Sequence, residues 1–149
     1  NALIQLDISK MEWLRKLWGF NNRILRLDLQ RTPALEVLFC YNNLLDDIDL
    51  SKLTNLQMLN CRDNRLSQLD LSFNEDLEIL YCSGNQLASL DLSCLPKLEA
   101  LYCYSNKIQQ LDLSCNYALE LLYCYGNDLA DLDTSVIPRL RHLRWQGKG

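Results

Sequence analysis

Residues 77–92 read LEILYCSGNQLASLDL. The first leucine of this stretch recurs every 21 residues, at Leu14, Leu35, Leu56, Leu98, Leu119 and Leu140. A strict period of this length is typical of stacked repeat proteins, in which each repeat buries its apolar side chains against its neighbours. The sequence therefore predicts an elongated stack of short coils.

The stack is predicted to be one domain covering residues 1–149. A half-repeat occupies residues 1–13, full repeats begin at residues 14, 35, 56, 77, 98 and 119, and a terminal half-repeat occupies residues 140–149. No insertion or low-complexity segment interrupts the series. Because the chain begins inside a repeat, and with asparagine, we expect that an N-terminal part of the protein is missing from this sequence.

Each repeat contains two short apolar runs. In the first, Leu101 and Cys103 are two residues apart, which is the period of a strand with one buried face. In the second, Leu90 and Leu92 flank Asp91, which fits either a second short strand or an extended turn. The repeat leaves little room for a helix, so we expect a flat coil with tight turns, some of them 3₁₀.

The pattern Leu-x-x-Leu-x-Cys-x-x-Asn-x-Leu-x-x-Leu-Asp-Leu resembles the leucine-rich repeat, and its length is similar to the IRREKO-type subclass found mainly in bacteria. The resemblance covers the whole chain and departs from the pattern at Gly19, Thr134, Trp145 and Lys148. It implies a right-handed solenoid with a parallel β-sheet on the concave face, short extended or 3₁₀ turns on the convex face, and little or no α-helix. It also implies a scaffold for protein interactions.

Two polar columns accompany the leucines. We expect the asparagines to bond backbone groups of their own and adjacent coils, so that Asn85→Ala lowers stability without touching a ligand. We expect the aspartates to accept N–H bonds from the adjacent turn. Calcium is the alternative ligand for the aspartates, although one carboxylate per coil supplies few oxygens. The columns are Asn1, Asn22, Asn43, Asn64, Asn85, Asn106 and Asn127, and Asp7, Asp28, Asp49, Asp70, Asp91, Asp112 and Asp133.

Five of the seven cysteines form another column, at Cys40, Cys61, Cys82, Cys103 and Cys124. This spacing lacks the close pairs that zinc prefers, and strands about 4.8 Å apart hold equivalent Cβ atoms too far apart for disulfides. We expect these thiols to act as small buried hydrophobes, and Cys94 and Cys115 to be the more reactive pair. Neither a metal nor a cofactor is predicted. The odd thiol count favours a reducing compartment, either the cytoplasm or, for an exported effector, a host cytosol.

The side chains that flank the buried strand residues form the candidate binding surface. They combine aromatic columns with a mostly acidic margin, which fits either a self-supporting ladder of rings or a contact surface. We favour a contact surface because Asn60 and Arg62 interrupt the columns, which stacking alone does not require. The candidate ligand-binding residues are Trp18, Phe39, Tyr41, Arg62, Tyr81, Tyr102, Tyr104, Tyr123, Tyr125, Glu78, Glu99 and Glu120.

The sequence predicts a non-catalytic scaffold that binds a protein or peptide with apolar groups and some basic character. There is no Gly-rich phosphate loop, and the single histidine, His142, has no catalytic motif around it. The net charge of −4 argues against nucleic acid, and no run of about 18 apolar residues is present to enter a membrane. The alternatives are the recognition domain of a larger bacterial effector or enzyme, a structural protein that associates end to end, and a carbohydrate-binding module.

Overall fold

The computed structural model describes residues 1–146, which form seven short strands in one parallel sheet. Each strand lies beside the strands that precede and follow it in the chain. No helix occurs within these 146 residues. The predicted solenoid is thus confirmed, while the departure at Lys148 lies outside the described residues. The strands are β1 (Lys16–Trp18), β2 (Val37–Phe39), β3 (Met58–Asn60), β4 (Ile79–Tyr81), β5 (Ala100–Tyr102), β6 (Leu121–Tyr123) and β7 (His142–Arg144).

The register of the sheet follows the period of the sequence. Leu80 in β4 pairs with Leu59 on one side and with Leu101 on the other. Backbone bonding continues beyond the strands, as when Cys82 N donates to Tyr102 O at 2.9 Å. Equivalent residues of successive coils therefore lie side by side, about 4.8 Å apart.

The core is a strip of leucine side chains behind the sheet. In the coil that contains β4, Leu77, Leu80, Cys82 and Leu87 are fully buried, and Leu90 is 6% exposed. Burial of a leucine side chain contributes about 1.5–3 kcal/mol, so the apolar strip is the main stabilising term of each coil. Because the core uses the same positions along the stack, most of the variation between coils lies at the flanking positions.

A left-handed residue follows each of the first six strands by three positions, with φ between 54° and 64°. Asn, Asp and Gly adopt this conformation at lower cost than other residues. Gly84 has a second reason to lack a side chain, because a Cβ atom there would clash with the carboxylate of Asp63. The left-handed residues are Asn21, Asn42, Asp63, Gly84, Ser105 and Gly126.

The opposite side of the coil is made of turns. Leu53 N donates to Leu50 O at 3.0 Å, and Leu56 N donates to Leu53 O at 3.1 Å, so two tight turns follow each other. The Leu-Asp-Leu runs contain no strand within residues 1–146. Of the two structures that the sequence allowed for this run, the extended turn is the one that forms.

The asparagine column connects neighbouring coils by hydrogen bonds, as predicted. Nδ2 of Asn85 donates to Cys61 O and to Cys82 O, both at 3.1 Å. Oδ1 of Asn85 accepts a bond from Leu66 N at 3.0 Å. One side chain therefore satisfies backbone groups of two coils.

The aspartate column is held by local donors, as predicted. Ser72 N and Ser72 Oγ donate to Oδ1 of Asp70 at 3.0 and 2.6 Å. The serine hydroxyl and then the backbone N–H lower the pKa of Asp70 below its ordinary value. An N–H bond of this kind recurs in every coil from Asp7 to Asp133. These donors offset the repulsion between carboxylates on adjacent coils.

A second asparagine position lies inside the turn side. Nδ2 of Asn74 donates to Leu50 O at 3.2 Å and to Leu53 O at 2.9 Å. Within residues 1–146, the Oδ1 atoms of Asn74 and Asn116 are buried without a hydrogen-bond partner. The equivalent position is a fully buried leucine at Leu53 and Leu95. Both residue types therefore fit this site, with an unsatisfied carbonyl where asparagine is used.

Candidate functional site

The outer face is the surface of the sheet that points away from the core. In β5, Ala100 and Tyr102 are half-buried while Leu101 between them is fully buried. Tyr104, two residues further along the chain, is half-buried as well. The alternation of a strand places Ala100, Tyr102 and Tyr104 on the same side, and the equivalent residues of other coils extend them into columns.

The first aromatic column is formed by the last residue of each strand. The rings of Tyr81 and Tyr102 are stacked, with centroids 4.4 Å apart and planes inclined by 11°. Tyr123 meets Tyr102 edge-on, at 5.2 Å and 79°. The guanidinium carbon of Arg144 lies 5.0 Å from the centroid of Tyr123, which is cation–π geometry. The column therefore ends on an arginine.

The second aromatic column lies two residues beyond the first. Phe20 and Tyr41 stack at 4.6 Å, and Tyr104 and Tyr125 stack at 4.7 Å, each with planes inclined by 4°. The guanidinium carbon of Arg62 lies 5.1 Å from the centroid of Tyr41. The sequence predicted that Arg62 interrupts the aromatic strip, but the structure shows that it continues the stack.

Two buried polar residues divide the outer face. Asn60 is 9% exposed and Ser83 is 1% exposed, at positions where most other coils carry rings. The outer face therefore changes from aromatic to polar at these two residues, and the rings on either side form separate groups. These are termed the N-terminal cluster (Phe20, Phe39 and Tyr41) and the tyrosine cluster (Tyr81, Tyr102, Tyr104, Tyr123 and Tyr125).

Trp18 pairs with Phe39 in the sheet but makes no ring contact with either cluster in the described residues. It is 58% exposed on β1, and no ring contact involves it in the described part of the chain. The remaining aromatic residues of the predicted site belong to one cluster or the other. Phe20 and Arg144 are absent from the predicted site although they contact its members. Their place in the repeat columns is the signal that identifies them.

The acidic margin differs between its two ends. Arg15 Nη2 lies 2.6 Å from Glu36 Oε1. Glu78 and Glu99 are exposed and Glu120 is half-buried. None of these three carboxylates has a cationic partner within 4 Å in residues 1–146. The margin beside the tyrosine cluster is thus a row of carboxylates without a close ion pair among the described residues.

Burial favours the neutral forms of Tyr102 and of the column thiols. Burial, followed by the neighbouring Tyr81, raises the pKa of Tyr102 above its ordinary value. Burial raises the pKa of the Cys40 thiol to about 12 and that of Cys124 to about 11. All five column cysteines are buried and free, which confirms their predicted role as small hydrophobes. Neutral phenols and thiols favour packing over nucleophilic chemistry.

The surfaces outside the outer face carry fewer features of a binding site. A concavity of about 430 Å³ on the turn side is lined mainly by Asp28, Asp46, Asp47 and Asp49. In residues 1–146 no group of three or more His, Cys, Asp or Glu side chains is arranged to hold a metal ion. No helix in the same residues is long and apolar enough to cross a membrane. Apolar side chains are exposed at both ends of the sheet, including Trp13 (87%) and Leu143 (43%), and end-to-end association would depend on them.

Comparison with known proteins identifies the repeat. A family model described as leucine-rich repeats (2 copies) matches residues 33–74 and 75–115, more than half of the chain. No curated protein sequence matches the chain. Among solved structures, an internalin (InlF) from Listeria monocytogenes is 20% identical, covering 91% of this chain and 48% of its own, with a TM-score of 0.69. The Leptospira interrogans protein LIC12759 is 22% identical, covering 91% and 44%, with a TM-score of 0.71.

A third solved structure is the functional domain of InlJ from Listeria monocytogenes, described as including a cysteine ladder. It is 30% identical, covering 89% of this chain and 39% of its own, with a TM-score of 0.48. The chain spans less than half the length of each of these three structures. At their identities, InlF and LIC12759 are similar to this chain in fold alone. On the family match over residues 33–115, the chain belongs to the leucine-rich repeat family.

Proposed function

We propose that this protein is a non-catalytic scaffold whose outer face binds a protein or peptide partner. The observation that carries the proposal is the tyrosine cluster, five rings gathered on the outer face and only half-buried. Tyrosine offers a large apolar ring and a polar hydroxyl, and it is enriched at the energetic centres of protein interfaces. Leucine-rich repeat proteins are commonly protein-binding scaffolds, which agrees with this role.

The packing of the rings supports binding without a large entropic cost. Tyr104 and Tyr125 are stacked at 4.7 Å, and Tyr81 and Tyr102 at 4.4 Å, so each ring restricts the rotamers of its neighbour. A surface whose side chains are already ordered loses less conformational freedom when a partner docks. The stacking that stabilises the sheet therefore also prepares it for contact.

The charge of the margin supports a partner with some basic character. Glu78, Glu99 and Glu120 occupy successive coils beside the tyrosines, and each is at least partly accessible. Unpaired carboxylates around an apolar patch attract cationic partners and raise their rate of association.

The binding face is tested with a double variant, Tyr102→Ala with Tyr123→Ala. A phage-displayed peptide library is selected on the wild-type protein, and the enriched peptides are synthesised and titrated by calorimetry. We expect the double variant to lose binding by at least about tenfold, since truncation of an interface hot spot costs about 2 kcal/mol or more. Circular dichroism must show that the variant keeps the wild-type spectrum.

The matched control is Tyr117→Ala, because Tyr117 is 59% exposed but lies on the turn side of the coil. Binding by this control should equal that of the wild type. If the selected peptides bind the Tyr102 and Tyr123 double variant as tightly as the wild type, the outer face is not the binding surface.

A further inference from the structure

We infer that the partner presents arginine side chains to the tyrosine cluster and to the acidic margin beside it, on the half of the outer face formed by residues 77–125. This inference rests on the proposed binding function and specifies the chemistry of the partner. It comes from a difference between the two halves of the face.

In the first half, the chain supplies its own arginines. Nε and Nη2 of Arg15 donate to Oε1 of Glu36 at 2.9 and 2.6 Å. Arg62 lies over the ring of Tyr41 at 5.1 Å and ends the stack of Phe20 and Tyr41. Both the carboxylate of the margin and the aromatic stack therefore have a cationic partner within the molecule.

In the second half, Arg144 lies over Tyr123, but the margin carboxylates and the stack of Tyr104 and Tyr125 have no such partner among the described residues. Glu78, Glu99 and Glu120 have no cation within 4 Å in the described residues, although they occupy adjacent coils. Like charges at paired positions of neighbouring strands repel each other. In residues 1–146 no guanidinium lies over the stack of Tyr104 and Tyr125 either. A cationic partner would relieve the repulsion and complete the stack.

Arginine fits both positions better than lysine does. Its planar guanidinium stacks on aromatic rings and also donates parallel bonds to a carboxylate, whereas an ammonium group acts as a point charge. The chain itself uses arginine for each contact: Arg15 on a carboxylate, and Arg62 and Arg144 on tyrosine rings. These three contacts are internal examples of those expected across the interface.

The experiment uses fluorescein-labelled synthetic peptides in which arginines alternate with leucine and serine. Matched peptides carry lysine or glutamine at the arginine positions. Fluorescence anisotropy measures their affinity for the intact chain. We expect the arginine peptide to bind about fivefold more tightly than the lysine peptide, because stacking and bidentate bonding are lost with lysine. We expect a larger loss with glutamine, and weaker binding of the arginine peptide at high salt.

The protein variant Glu99→Gln with Glu120→Gln keeps the shape of the margin and removes two charges. The affinity for the arginine peptide should fall by about fivefold, as expected for exposed ion pairs, while the affinity for the glutamine peptide stays unchanged. The control is Glu75→Gln, because Glu75 is exposed on the turn side. This control should bind all three peptides as the wild type does.

Several results would overturn the inference. One is equal affinity for the arginine and glutamine peptides, and another is no binding of any peptide. A third is tighter binding of a single-stranded RNA oligonucleotide or an anionic lipid vesicle to the same face. The Tyr102→Ala, Tyr123→Ala variant separates the two proposals. Suppose that the wild type binds the glutamine and arginine peptides equally, and that this variant loses the glutamine peptide. The outer face then binds partners, and only the inferred arginine chemistry is wrong. If it binds every peptide as the wild type does, the proposed binding face fails as well.

Discussion

At the scale of single residues, the position in the coil decides what each cysteine can do. Cys82 is fully buried behind the sheet, and burial, followed by the thiols of Cys103 and Cys61, raises its pKa well above the ordinary value. A thiol reacts through its thiolate, so a raised pKa and burial both suppress its reactivity. Cys94, on the turn side, is exposed. Identical side chains are therefore inert or accessible according to their place in the repeat.

Alkylation of the folded protein tests this difference. At about pH 8 we expect iodoacetamide to modify Cys94 first and the half-buried Cys115 more slowly. The five column cysteines should react only after unfolding, because the raised pKa keeps their thiols protonated at this pH. Peptide mass spectrometry locates the label, and a sample in guanidinium chloride provides the control in which all seven react. Rapid labelling of Cys82 in the folded protein would contradict the assignment.

At the scale of the element, each coil is completed by hydrogen bonds from the asparagine of the next. Asn85 is 8% exposed and bridges the carbonyl groups of Cys61 and Cys82. Three-residue strands supply few ladder bonds on their own, so these side-chain bonds occupy backbone groups that the turn would otherwise leave buried and unpaired. The asparagine column is thus part of the architecture and not of the binding face.

We expect Asn85→Ala to lower the free energy of unfolding by about 1–3 kcal/mol, because backbone groups in two coils lose their partner. Urea unfolding followed by circular dichroism measures the change. The control is Asn55→Ala, since Asn55 is exposed and makes one long bond, to Pro33 O at 3.4 Å. The control should change stability by less than about 0.5 kcal/mol. Equal stabilities of the two variants would mean that the asparagine column does not tie the coils together.

At the scale of the whole molecule, the chain is a one-dimensional stack. Every strand pairs only with its sequence neighbours, and the register advances by one repeat at each step. The free energy of unfolding is therefore approximately the sum of a contribution from each coil and a contribution from each interface between adjacent coils. A molecule of this kind should tolerate the loss of a whole coil better than the loss of part of one.

Deletion of one full repeat tests this additivity. Removing residues 77–97 joins Asp76 to Leu98, which is in the same position as Leu77. We expect a folded chain with six strands, with a lower m-value and a lower unfolding free energy in urea. Removing only residues 77–87 deletes β4 but keeps Leu90 and Leu92, which then have no strand of their own coil to pack against. That longer chain should be less stable than the shorter one, and the reverse order would contradict nearest-neighbour stacking.

The coil, its core and its polar columns could all be predicted from the sequence. Leu77, Cys82 and Asn85 recur with a fixed period, and in a stack each of them meets copies of itself, so one repeat predicts the environment of all. The sequence also predicted the outer face, because the positions that flank a buried strand residue must point away from the core. The residues proposed to bind a partner remain a prediction.

The division of the outer face depends on side-chain packing, which the repeat pattern does not show. The sequence treats Arg62 as a break in the aromatic strip, whereas the folded chain stacks its guanidinium on Tyr41. The alternation of a strand would also place Ser83 on the outer face, whereas it is 1% exposed. The physical reason is that the repeat fixes the backbone position of each residue. The direction of a long side chain, and the burial of a short one, depend on the side chains of adjacent coils, which differ along the stack.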